Sequence, residues 1–179
     1  MIKHLAGLLT LSVLVAAPVH ARDVNAWGDA SSVGRAALVV LALGLPAVRE
    51  DWTGDLEAGG SIGAAFVATQ GLKRAFPEER PDRSDRKSFP SGHAAVSFAA
   101  AASLQNRYGW RVGLPAQFVA ALVGASRIEA RKHHWYDVVA GAAIGEATGF
   151  LITSKRDENV RLIPWGDTRN GGAAIALRF

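Results

Sequence analysis

Residues 90–106 read Pro-Ser-Gly-His-Ala-Ala-Val-Ser-Phe-Ala-Ala-Ala-Ala-Ser-Leu-Gln-Asn. The first four residues form a turn, and a serine just before an apolar run suits a helix N-cap. From Ala94 to Asn106 the stretch is uncharged and rich in alanine. Its apolar residues do not alternate, so it reads as helix and not as strand. Four further stretches share this character: Ala36–Val48, Ala58–Leu72, Val112–Ser126 and Val138–Ser154, the last carrying only Glu146 as a charge. The expectation is an all-α fold, a compact bundle of about five helices.

None of these stretches reaches the roughly 18 uninterrupted apolar residues that mark a membrane span. Their small residues permit close helix packing in water or in lipid. A bundle whose helices bury one another is the simpler expectation, and a short integral membrane bundle the sharper one.

The chain has 179 residues and a mass of 18.9 kDa, which suits one domain with a real core. It has no cysteine, which excludes disulfide scaffolds, thiol nucleophiles and cysteine zinc sites. Hydrophobic residues make up 49% and charged residues 20%, so the chain is not a disordered tail. Mean hydropathy is +0.12. The net charge of +4 suits a phosphate ligand, an anionic membrane surface or a nucleic acid, without choosing among them.

Both ends differ from the middle. Lys3, the apolar run Leu5–Ala17 and the small residues around Val19-His20-Ala21 have the three parts of a secretory signal. Cleavage after Ala21 is expected, with an uncleaved anchor as the alternative. Either would place the remainder outside the cytoplasm, on the periplasmic side. At the other end, Val160–Trp165 and Gly172–Phe179 flank the turn-rich residues 166–171, which predicts a short β-hairpin. The expected organisation is a signal peptide over 1–21, a helical domain over 22–157 and a hairpin-like extension over 158–179.

Three clusters carry chemistry. Lys73 and Arg80-Pro81 frame a charged loop. Pro90-Ser91-Gly92-His93 opens a helix. Ser126-Arg127 is followed by His133 and then Asp137. Lys73, Arg80 and Arg127 supply three cations, and guanidinium groups suit bidentate contact with phosphate oxygens. Ser91 and Gly92 stand at a helix N-terminus, where unpaired N–H groups and the helix dipole favour an anion. His133 and Asp137 are four apart, so on a helix they would share a face and the carboxylate would orient the imidazole for attack. His93 is a second imidazole, suited to protonating a leaving alcohol. Singly, each residue reads as a surface charge, a structural histidine or a cap. Together they form a site for phosphoryl transfer, which needs chiefly positioning and charge.

The order Lys-x6-Arg-Pro, Pro-Ser-Gly-His, Ser-Arg-x5-His-x3-Asp resembles the type-2 phosphatidic acid phosphatase and vanadium haloperoxidase superfamily. All three parts occur here without departure, between Lys73 and Asp137. The resemblance implies an all-α core and a phosphatase in which His133 forms a phosphohistidine. It implies that Asp137 orients His133, that His93 is the general acid, and that Lys73, Arg80, Ser91, Gly92 and Arg127 bind the phosphoryl oxygens. It implies no metal or other cofactor, and vanadate as an inhibitor.

A phosphate monoester or pyrophosphate of a lipid is the expected substrate, with the membrane surface as partner. A soluble periplasmic acid phosphatase acting on small phosphate esters is the close alternative. Vanadate-dependent halide oxidation and phosphate binding without turnover are weaker ones. Nucleic acid is not an expected partner, because no basic face carries interleaved aromatics. His134 is expected to face away from the site. A metal site from His93, His133 and His134 is disfavoured, because adjacent side chains diverge on a helix.

Overall fold

A computed structural model describes residues 24–156, 160–166 and 171–177. The expected export segment, Met1–Ala21, lies outside the described residues, as do residues 167–170 of the predicted hairpin turn. Five helices follow in order: α1 Val24–Val48, α2 Trp52–Ala75, α3 Gly92–Tyr108, α4 Trp110–Glu129 and α5 Trp135–Ile152. Strands β1 Val160–Gly166 and β2 Gly171–Leu177 pair antiparallel, with Val160 opposite Leu177.

The all-α expectation holds: four of the five apolar stretches lie within a helix, and the fifth, Val138–Ser154, passes the end of α5 by two residues. The helices run beyond them. α1 begins twelve residues before Ala36 (36 − 24 = 12), because Arg35 ends the uncharged stretch without ending the helix. Arginine is a good helix former, so a charge marks a polar position and not a boundary.

α3 is the central helix and packs against all four others. Its alanines make this possible. Ala94, Ala95 and Ala99 to Ala102 are each 0% exposed. α5 meets α3 through Gly141, Gly145 and Gly149, spaced one turn apart. A Cβ at Gly145 would stand 2.3 Å from the Ala95 carbonyl oxygen, and one at Gly141 2.4 Å from that of Ser91. This is the small-residue contact that brings helix backbones together. Large apolar side chains face outward instead: Phe118 is 65% exposed and Leu151 79%.

The helix ends sort into two sets. At one end Asp51 caps α2 by accepting from the Gly54 N–H at 3.2 Å, and it also accepts from Arg107 Nε at 2.8 Å and the Tyr108 hydroxyl at 2.9 Å. Hydrogen bonding from the Arg107 guanidinium holds the Asp51 carboxyl well below the usual carboxylate range. This network ties the C-terminus of α3 to the start of α2. The opposite end gathers the C-termini of α2 and α4, the N-termini of α3 and α5, and the N-terminal third of α1. The residues of the three sequence clusters lie there.

Candidate active site

Ser91 caps α3, its hydroxyl accepting from the Ala94 N–H at 3.4 Å. Its own N–H donates to the Asp137 carbonyl at 2.9 Å, which ties the start of α3 to the first turn of α5. A Cβ at Gly92 would meet Thr69 Oγ1 at 3.7 Å, an ordinary contact. Protein packing therefore does not demand glycine at this position. His93 follows on the first turn of α3, with Nε2 3.4 Å from the Ser32 hydroxyl of α1.

Arg127, on the last turn of α4, is only 7% exposed. Its Nη1 donates to the Ser31 hydroxyl at 3.1 Å, while Nε is buried without a partner. Lys73, on the last turn of α2, gives Nζ to the carbonyls of Lys87 (2.7 Å), Ser88 (3.3 Å) and Pro90 (2.5 Å). An ammonium has three protons. Lys73 therefore pins the loop that leads into α3 and brings its charge to the site. Arg80 holds Asp85 through Nε at 2.7 Å.

His133 departs from expectation. It does not share a helix face with Asp137, because α5 begins at Trp135 with His134 as its N-cap. Asp137 sits at the third position of α5 and accepts the His134 backbone N–H at 2.8 Å, one half of a capping box. The reversal of the chain at this cap brings His133 and Asp137 together. Asp137 Oδ2 lies 3.6 Å from His133 Nδ1, too far for a hydrogen bond. Its closest partner is the Ser88 hydroxyl, which donates at 2.5 Å. His133 Nδ1 and Asp137 Oδ1 are both buried without partners. Catalytic hydrogen bonds are commonly long before substrate binds.

His133 is 2% exposed and Asp137 0%. Burial, then the charges of Lys73, Arg127 and Arg80, push the His133 imidazole down to about 3, against the pull of Asp137. Burial first, and then three of the sequence-predicted cations, thus disfavour a proton on the predicted nucleophile. A proton refused by the folded site is accepted by the unfolded chain, so stability is lost as the pH falls from 6.5 towards 3. The Tm of the protein is expected to drop between about pH 6.5 and 4, and to drop less in His133→Gln. Equal slopes in the two proteins would remove His133 from this account.

Ser31, Ser32 and Ser88 touch site residues and were not singled out in the sequence. Ser88 lay in plain view, two residues before Pro90, but serine there reads as loop. Ser31 and Ser32 carry no local signal, because Ser31 meets Arg127 and Ser32 meets His93 only through the packing of α1. His134 stacks on Tyr136 with ring centroids 5.0 Å apart. Its Nδ1 lies 3.4 Å from Asp137 Oδ2 and 3.7 Å from Glu78 Oε1. These two carboxylates and His134 each offer one ligand atom within 4.8 Å of the others. Glu146 meets Gln117 of α4 rather than a cation.

The model of the PAP2 superfamily matches residues 74–161. The chain is 32% identical over 111 residues to lipid A 4′-phosphatase of Helicobacter pylori, covering 54% of this chain and 56% of that protein. It therefore spans little more than half of that relative's length. It is 34% identical over 130 residues to decaprenylphosphoryl-5-phosphoribose phosphatase of Mycolicibacterium smegmatis, covering 68% of this chain and 69% of that one. The fold is similar to the crystal structure of a transmembrane PAP2-type phosphatidylglycerolphosphate phosphatase from Bacillus subtilis, with a TM-score of 0.57, 26% identity and 78% of each chain covered. With the three motifs at one end of a five-helix bundle and these likenesses beside them, the chain belongs to the PAP2 superfamily.

Proposed function

We propose that the protein is a membrane-embedded phosphatase that removes a phosphoryl group from a phosphorylated lipid, without a metal, through a phosphohistidine on His133. The observation that carries this reading is the buried, neutral His133 within reach of the charges of Lys73, Arg80 and Arg127. His133 Nδ1 faces Asp137, which leaves Nε2 to attack phosphorus. The P–O bond to the leaving group breaks as the P–N bond forms. Burial and then the charge of Arg127 hold the His93 imidazole down to about 3 in the free site. His93 takes up a proton as the anionic phosphate enters and gives it to the departing oxygen. The carboxylate of Asp137 steadies the imidazolium that results. Water then attacks the phosphohistidine and returns its proton to His93, and inorganic phosphate leaves. Arg127 and the N–H groups at the start of α3 take the phosphoryl oxygens, and Lys73 and Arg80 add charge.

Lipid is favoured by the outer face of the bundle. Large apolar side chains point outward from α2, α4 and α5, among them Phe66, Leu122 and Val139, while the interior is mostly alanine, glycine and serine, with Leu38, Val96, Leu104 and Val123 among them. A surface of this extent suits hydrocarbon better than water. Helices of 17 to 25 residues are about 26 to 38 Å long, comparable to a bilayer core of about 30 Å. α1 alone among the described residues is long and apolar enough to cross a membrane by length and composition. The relatives named above act on phosphorylated lipids by their names. In this reading residues 1–21 direct export, 22–157 carry the site on the outer side of the membrane, and 158–179 are an appendage.

Phosphate release by the detergent-solubilised protein tests the proposal, with a lipid phosphate and a water-soluble monoester compared. Release is expected from the lipid by at least about tenfold in kcat/KM over the soluble ester. It should be unchanged by EDTA and inhibited by vanadate. A preference for the soluble ester would overturn the lipid reading. Loss of activity in EDTA would overturn metal independence and bring Glu78, His134 and Asp137 forward as ligands.

A further inference from the structure

Two adjacent histidines compete for one carboxylate. Asp137 Oδ2 lies 3.4 Å from His134 Nδ1 and 3.6 Å from His133 Nδ1, so distance alone favours the histidine at the rim. A carboxylate paired with His134 is lost to His133. Ser88 stands at this choice. It is 0% exposed, and its hydroxyl donates to Asp137 Oδ2 at 2.5 Å. The same oxygen accepts the His134 backbone N–H at 2.8 Å. Two donors fill the two lone pairs of Oδ2. The hydroxyl has spent its one proton on Asp137, so towards His134 Nδ1, 3.4 Å away, it can only accept. It thus offers the His134 imidazole an acceptor other than the carboxylate. Left over are Asp137 Oδ1 and His133 Nδ1, both buried and without a hydrogen-bond partner among the described residues. An unused polar atom is costly to bury, so these two are the groups driven to pair. The backbone of Ser88 is held independently of this. Its N–H donates to the Glu78 carbonyl at 2.9 Å, and its carbonyl accepts from Lys73 Nζ at 3.3 Å.

We infer that Ser88 is a positioning residue that reserves Asp137 for His133 and turns it away from His134. This rests on the phosphatase reading above and adds to it the group that selects between two neighbouring imidazoles. Ser88 touches neither the phosphoryl group nor the leaving group in this account. It acts through Asp137, on the alignment of the attacking ring. Loss of its hydroxyl therefore slows the formation of the P–N bond and leaves the binding of phosphate alone.

The test measures phosphate release from one lipid phosphate by wild type, Ser88→Ala, His134→Ala and the double variant, all in detergent. In Ser88→Ala, kcat is expected to fall about 10- to 100-fold, the scale of one hydrogen bond to a charged group. KM and inhibition by vanadate should stay within about threefold, because Lys73 still meets the Ser88 carbonyl and the phosphate-binding groups are unchanged. In that variant His134 captures the carboxylate. Removing His134 as well frees it, so the double variant is expected to turn over at least about fivefold faster than Ser88→Ala. A serine with a merely structural role gives no such rescue, because the second lesion adds to the first. If Ser88→Ala does not fold, Ser88→Cys, of similar volume and a weaker donor, takes its place with changes of the same sign. Losses that multiply in the double variant, a wild-type kcat in Ser88→Ala, or a rise in KM that matches the fall in kcat would each overturn the inference. The phosphatase reading would survive any of these, since the wild type would still release phosphate. A wild type that releases none would overturn both.

Discussion

Phosphate release by His133→Ala is expected to fall about 10⁴-fold or more, the scale of losing a covalent nucleophile. The fold should survive, because the neighbouring turn is held by backbone groups: Lys132 and His133 both donate their N–H to the Arg127 carbonyl, at 3.1 and 3.3 Å. Vanadate binding should change only a few-fold, since Arg127, Lys73 and the N-terminus of α3 are untouched. The wild type, quenched during turnover, should carry an acid-labile phosphate that the variant lacks. His134→Ala provides the control. Its side chain stacks on Tyr136 at the rim, and its backbone N–H still reaches Asp137. A loss within about tenfold is expected there. Turnover near wild type in His133→Ala, or equal losses in both variants, would assign the nucleophile elsewhere.

Gly145→Ala is expected to be the most damaging single methyl in the molecule. The new Cβ would stand 2.3 Å from the Ala95 carbonyl oxygen and 2.7 Å from the Ala99 nitrogen. Both are backbone atoms of α3, so no side chain can turn aside. α5 must move away from α3, and the Ser91–Asp137 bond at the site end moves with it. Overpacking of this kind costs about 3 kcal/mol or more. Gly63→Ala is the matched comparison, because a Cβ there meets nothing within 4 Å. In a helix interior that change is expected to be neutral or to stabilise by up to about 1 kcal/mol. Thermal unfolding in detergent should separate the two variants clearly. A Gly145→Ala protein as stable as wild type would mean that α3 and α5 are not in contact through this face.

The helices and the three motifs were legible because their signals are local. An alanine-rich run between charges reads as helix wherever it packs, and the spacing Arg127, His133, Asp137 is a property of the string. The geometry at His133 was not legible. Four residues suggest one helical face, but the chain places the helix start between the two side chains, with His134 as cap. Nor was the contribution of α1. Ser31 and Ser32 are ordinary helix residues until α1 is laid against α3 and α4, a contact that no short window contains. The outward placement of large side chains was equally hidden. Alanine and leucine both count as apolar, and only packing reveals that the close helix contacts are made mostly by alanine, with Leu38 and Leu104 as the large exceptions.

Lys73 shows what a cation can do besides attract. Its three protons rest on the carbonyls of Lys87, Ser88 and Pro90. A phosphate oxygen that draws one of them leaves a loop carbonyl without its donor, and that carbonyl competes to recover it. The ammonium therefore holds an arriving phosphoryl group less tightly than an uncommitted lysine would. In the proposed reaction the loop that positions Lys73 would also help to displace inorganic phosphate, so turnover and retention of product would be set against each other at one side chain.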